Sequence, residues 1–152
     1  MPDTQRLAEM VEAFERRVPF NSVLGLQGFR VEDGMTRVRV PMRDELVGNF
    51  ERRTLHGGVI SATLDLVGGI AALFGTAGMR VPETEAEGLE IFANLGTIDL
   101  RVDYLRPGIG EWFDASASVI RTGRRVVVTR MEMESDAAKL IAVGTGTYIV
   151  GR

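Results

Sequence analysis

The sequence contains no cysteine and a single histidine, His56. Without thiols there is no disulfide framework, no cysteine nucleophile and no thiolate metal site. With one imidazole, a multi-histidine zinc centre is excluded as well. Neither a metal nor a cofactor is expected. A basic excess is also missing. The formal net charge is −3, where a dedicated nucleic-acid binder shows a basic balance or patch. A few local arginines could still hold an anionic small molecule. The first ten residues, MPDTQRLAEM, lack the apolar run of a secretory signal. The longest apolar stretch, Val59 to Phe74, is interrupted by Asp65 and is short for a comfortable membrane span. A cytoplasmic protein that engages neither membrane nor nucleic acid is expected.

What is present fits one domain over residues 1–152, 45% hydrophobic and 26% charged. Residues 5–17 carry Leu7, Met10, Val11 and Phe14 at spacings of three and four, a stripe continued by Val18. That pattern predicts an amphipathic helix with one covered face. Asp3 or Thr4 can cap it, and Pro19 follows its end. Residues 26–32 and 35–41 flank Asp33-Gly34, a strong hairpin signal. Residues 42–55 read as irregular, and 80–90 as a solvated acidic loop. Between them runs HGGVISATLDLVGGIAALFGTAG from His56, apolar or small at nearly every position. Such a helix has to be buried on most sides. Strand-like stretches follow near 94–105, 111–121, 124–135 and 138–149. Short connections between the last three demand antiparallel neighbours. The fold class is α+β, with an antiparallel sheet of about six strands curling around one central helix.

Asp65 is the only ionisable residue between Gly57 and Gly78. Burying an unpaired carboxylate is costly, so its presence there points to a general base or nucleophile rather than to a fold requirement. The alternative is a buried aspartate that bonds a loop amide or a second copy. Gly57 and Gly58 enter the helix at a cost relative to alanine. They suit either a tight turn with positive φ or a close backbone approach, in which free N–H groups at the helix start act as an oxyanion hole. Gly57 and Asp65 are eight residues apart, about 12 Å along one helix. A second copy of the chain would have to supply the missing group. His56 alone reads more readily as a structural hydrogen bonder. Asn49 sits in the polar loop and Thr97 at the start of a strand-like run, both ordinary placements on their own. Arg52, Arg53, Arg101, Arg106, Arg121, Arg124 and Arg125 could contact phosphates.

The stretch LHGGVISATLDLVGGIAAL, with TIDLRVDYLRPG after it, resembles the hotdog-fold acyl-CoA thioesterases of the phenylacetic-acid-pathway type. The resemblance covers roughly residues 20–150. It implies a curved antiparallel sheet wrapped around a long central helix, a homodimer or homotetramer, and an active site shared between subunits. It implies that Gly57 N–H polarises the thioester carbonyl of an acyl-CoA, within a motif that includes His56 and Gly58. Asp65 of the partner would activate water or attack the carbonyl. Asn49 would position thioester or water, and Thr97 matches a hydroxyl seven residues before the tyrosine of the strand motif. Gly58, Arg101 and Arg106 stand as the substrate-binding candidates. The segment 80–93 is longer and more acidic than the family pattern. Three rivals remain open: acyl-thioester dehydration or hydration, which needs a histidine acting with a carboxylate; a non-catalytic acyl-CoA binder; and a structural oligomer.

Overall fold

Six strands form one antiparallel sheet in the order β1-β2-β6-β7-β8-β5. The computed structural model describes residues 2–74 and 82–150, with side chains from residue 5 onward. The hairpin expected at Asp33-Gly34 joins β1 (Gln27–Glu32) to β2 (Met35–Pro41). Both turn residues take positive φ, 51° and 74°, the twist that a two-residue hairpin requires. Strands β6 (Trp112–Thr122), β7 (Val126–Ser135) and β8 (Leu140–Ile149) follow as a meander. Strand β5 (Gly96–Tyr104) crosses to pair with β8 and closes the opposite edge.

The concave face of this sheet holds α3 (Gly57–Phe74). Val38, Val40, Phe113, Ala115, Val127, Met131 and Met133 alternate inward along their strands and are buried. Leu64 and Val67 of α3 join that core, and Ile70 and Leu73 of the same helix are also fully buried. Truncating one such leucine to alanine costs about 2–5 kcal/mol. By length and a mean hydropathy of 1.7 the helix could cross a bilayer, yet 61% of it is buried inside the protein. The sheet does not cover it all round. Gly58 is exposed, and Ser61, Ala62, Asp65 and Leu66 are half-buried. Spaced by three and four, they form one open face on an otherwise enclosed helix.

Helix α1 (Pro2–Arg17) lies against β1, burying Val11 and Phe14 as the stripe predicts. Phe14 packs edge-on against Phe29 and Phe92. The cap expected from Asp3 or Thr4 falls outside the described side chains. Three local expectations need correction. Pro19 does not simply end a helix; it opens a second one, α2 (Pro19–Leu24), closed by Gly25 in the left-handed region. Residues 42–55 contain a 3-10 turn at Asp44–Leu46 and a short antiparallel pair, β3 (Val47–Asn49) with β4 (Thr54–Leu55). The acidic stretch read as a loop contains α4 (Glu85–Ala93). Thr84 caps that helix by accepting from Glu87 N–H at 3.2 Å, and the Glu87 carboxylate accepts from Glu83 N–H at 2.8 Å. Thr84-x-x-Glu87 is a helix-start signature, and glutamates in the first turn favour the helix dipole.

Candidate active site

Two clusters of polar groups sit at different levels of α3. The first is its N-terminus. His56 carbonyl accepts from Val59 N–H at 2.9 Å and Ile60 N–H at 3.2 Å. Its ring Nδ1 accepts from Gly58 N–H at 2.8 Å, which puts the ring proton on Nε2. His56 thus caps the helix that it precedes. A Cβ on Gly58 would lie 2.9 Å from Nδ1, so glycine is needed for space. Positive φ is not the reason, since neither Gly57 nor Gly58 adopts it. Tyr104 hydroxyl donates to the Gly57 carbonyl at 3.1 Å. The peptide between Gly57 and Gly58 is therefore held on both sides. Gly57 N–H has no acceptor among the described residues. It is a free donor at the positive end of the helix.

A cleft of about 390 Å³ adjoins this donor, lined among others by Asn49, Arg52, Gly57, Tyr104 and Arg106. Asn49 Oδ1 accepts from the N–H groups of Glu51 and Arg52, both at 3.1 Å. The carbonyl end of that amide shapes the turn, and its NH2 end is left for another partner. Arg106 donates to Leu140 carbonyl at 2.8 Å. A roomier cavity of about 520 Å³ lies between α1 and α4, walled by Met10, Phe14, Leu89 and Phe92, and it is lined by none of the candidate site residues.

The second cluster surrounds Asp65. Oδ1 accepts from Thr97 hydroxyl at 3.0 Å and from Tyr148 hydroxyl at 3.2 Å. The same Tyr148 hydroxyl lies 2.9 Å from Asp65 carbonyl. Asp65 is half-buried and bonded, not the unpaired buried carboxylate that the apolar pattern predicts. Thr97 and Tyr148 are opposite partners on β5 and β8, so both side chains stand on the face toward α3. Burial pushes the Tyr148 hydroxyl up from its ordinary pKa, and the Asp65 charge and hydrogen bond push it further. It stays protonated, a donor, over any working pH.

Each chain thus brings Asn49, Gly57 and Arg106 to one cleft and Asp65 and Thr97 to another place. Gly58, expected to contact substrate, has its N–H taken by the His56 ring. Arg101 stays apart, exposed on β5 and paired with Asp103 at 3.2 Å. Within one chain His56 and Asp65 lie nine residues apart along the helix, about 13 Å, and the His56 Nδ1 is engaged by Gly58 N–H. Tyr104 and Tyr148 escaped the sequence reading. Tyr104 lies inside the motif already quoted; Tyr148 is 83 residues from its partner and had no local signal.

Known proteins resemble this chain along nearly its whole length. The sequence model described as thioesterase superfamily matches residues 53–142. The medium/long-chain acyl-CoA thioesterase YigI of Escherichia coli K12 is 39% identical over 147 residues, covering 97% of this chain and 95% of that enzyme. A solved Shewanella oneidensis protein related to the thioesterase superfamily superposes with a TM-score of 0.88 at 44% identity, covering 98% of this chain and 97% of its own. The PaaI protein of the E. coli phenylacetic acid degradation operon superposes with a TM-score of 0.76 at 17% identity, covering 98% and 96%, a likeness of fold.

Proposed function

This chain belongs to the thioesterase superfamily and has the hotdog fold that the motif resemblance implied; from that premise we propose that it hydrolyses medium- to long-chain acyl-CoA at a site shared by two copies. The observation that carries the reading is the pairing of a free Gly57 N–H in a cleft with a hydroxyl-held Asp65 on the same helix. Eight residues separate them, about 12 Å, too far for one carbonyl. The open face of α3, which includes Gly58, Ser61, Ala62, Asp65 and Leu66, is where a second copy would seat its own α3. Gly57 of one copy then faces Asp65 of the other.

In this arrangement Gly57 N–H, at the positive end of the helix, stabilises the oxyanion as the carbonyl becomes tetrahedral. Asp65 takes a proton from water, whose oxygen bonds to the carbonyl carbon. Collapse breaks the carbon–sulfur bond, and the thiolate leaves and is protonated. A thioester needs no stronger nucleophile than this, because its carbonyl is electrophilic and thiolate departs readily. The free amide of Asn49 donates to thioester or water. Arg106, and Arg52 beside it, give the cleft the positive charge that suits a nucleotide thiol.

Thiol release from acyl-CoAs of short, medium, long and aromatic acyl groups tests this, with wild type beside Asp65→Ala. Release by wild type, greatest for medium and long chains, and a loss of about 1000-fold or more in the variant are expected. Release by Asp65→Ala at the wild-type rate would remove Asp65 from the mechanism.

A further inference from the structure

The Asp65 carboxylate receives both of its described donors on one oxygen. Thr97 and Tyr148 share Oδ1, the single Tyr148 proton being divided between that oxygen at 3.2 Å and the Asp65 carbonyl at 2.9 Å, and no described residue donates to Oδ2. We infer that Tyr148 is a positioning residue, which with Thr97 pins Oδ1 and presents Oδ2 to the water or carbonyl that reacts. This rests on the thioesterase reading above.

The surroundings are built for that hydroxyl. Tyr148 is 1% exposed, and a buried phenol costs stability unless its O–H is used. A phenylalanine would fill the same core more cheaply. Two glycines make its room. A Cβ on Gly68 of α3 would lie 2.4 Å from the Tyr148 oxygen, and one on Gly146 of β8 would lie 2.6 Å from it. Gly146 lets the ring lie along its own strand, and Gly68 lets the hydroxyl reach the helix one turn beyond Asp65. A bulge in β5 between Thr97 and Asp99 turns Thr97 to the same target. The groups packed around the carboxylate are Thr97 from β5, Tyr148 from β8 and, beside the Tyr148 hydroxyl, Thr129 from β7. Among them Tyr148 alone titrates, and no described charged group forms an ion pair with Asp65. Donors to an ionised carboxylate favour the charged form.

The test is Tyr148→Phe, which keeps the ring and removes the oxygen. Two readouts are taken: the pH profile of kcat/KM, and a carbon-13 titration of the Asp65 carboxyl in the free protein. The acid limb and the carboxyl titration are both expected to move to higher pH. At neutral pH kcat is expected to fall about tenfold with KM unchanged. Thr97→Val should move the same two quantities in the same direction. A folded Tyr148→Phe protein whose limb and titration both stay at the wild-type position overturns the assignment, as a purely structural tyrosine would leave them there. If wild type releases no thiol from any acyl-CoA, the thioesterase reading fails, and the carboxyl titration alone still decides whether Tyr148 acts on Asp65.

Discussion

At its first turn α3 is open to a cleft, and the polar groups it offers are backbone: the Gly57 N–H, with the next peptide clamped by the His56 ring and the Tyr104 hydroxyl. Two turns later what the same open face offers is a side chain, Asp65, half-buried and held by hydroxyls from β5 and β8. Glycine serves both places through space rather than through φ. Gly58 admits the ring that caps its own N–H, and Gly68 admits the phenol that reaches Asp65. The difference shows what each region supplies. The helix start has a fixed positive dipole and no titrating group of its own in contact with the free donor. The middle has a carboxylate held by hydroxyls and, among the described residues, no free backbone donor beside it.

The comparison breaks hardest if the backbone donor is deleted. Gly57 is the first residue of α3, a position that tolerates proline. Gly57→Pro removes the N–H and leaves the helix. Turnover should fall about 100- to 1000-fold with the circular dichroism spectrum and Tm close to wild type. Undiminished turnover would mean that another group holds the oxyanion.

Sharing between copies gives the next largest effect. Subunits carrying Gly57→Pro and subunits carrying Asp65→Ala, each inactive alone, are mixed and allowed to exchange. A mixed pair contains one site with both defects and one intact. Equal mixing should therefore recover about a quarter of wild-type turnover. No recovery, with mixed pairs present by native mass spectrometry, would place both groups in one chain's site.

The smallest expected effect sharpens the second region. Gly68→Ala should gain about 1 kcal/mol of helix propensity, yet its Cβ would meet the Tyr148 oxygen at 2.4 Å. Urea unfolding should show a net loss of about 1–3 kcal/mol. In a Tyr148→Phe background the loss should shrink, because the clashing oxygen is gone. Strictly additive effects of the two substitutions would mean that they do not touch.

Much of the architecture was legible because it is written in local patterns. Strand-like stretches set off by Pro107-Gly108, Thr122-Gly123 and Asp136-Ala137 located the four later strands, Asp33-Gly34 located the hairpin, and the three-and-four spacing of Leu7, Met10, Val11 and Phe14 located α1. The short elements were not read. Pro19 serves a helix start as well as a helix stop, and the glutamates of 85–90 that look solvated also suit a first helical turn behind Thr84. The candidate site was legible at Asp65, because a lone carboxylate in an apolar run violates the pattern around it. Gly57 and Gly58 were equally conspicuous, though their reason was not: the His56 cap needs the space, and only coordinates show the ring turned back on Gly58 N–H.

By itself the sequence determined the chemistry available: no thiol, one imidazole, one carboxylate in the central helix and a glycine pair at its start. These are properties of composition and of neighbours along the chain, and a 3.6-residue period turns them into positions on a helix. Only the tertiary structure decided which groups hold that carboxylate, which N–H is left free and which face of α3 stays open. Tyr148 reaches Asp65 across 83 residues because β8 and β5 pair in one register and two glycines leave the gap. Such contacts depend on strand order and on the absence of side chains at distant positions, which no local pattern encodes.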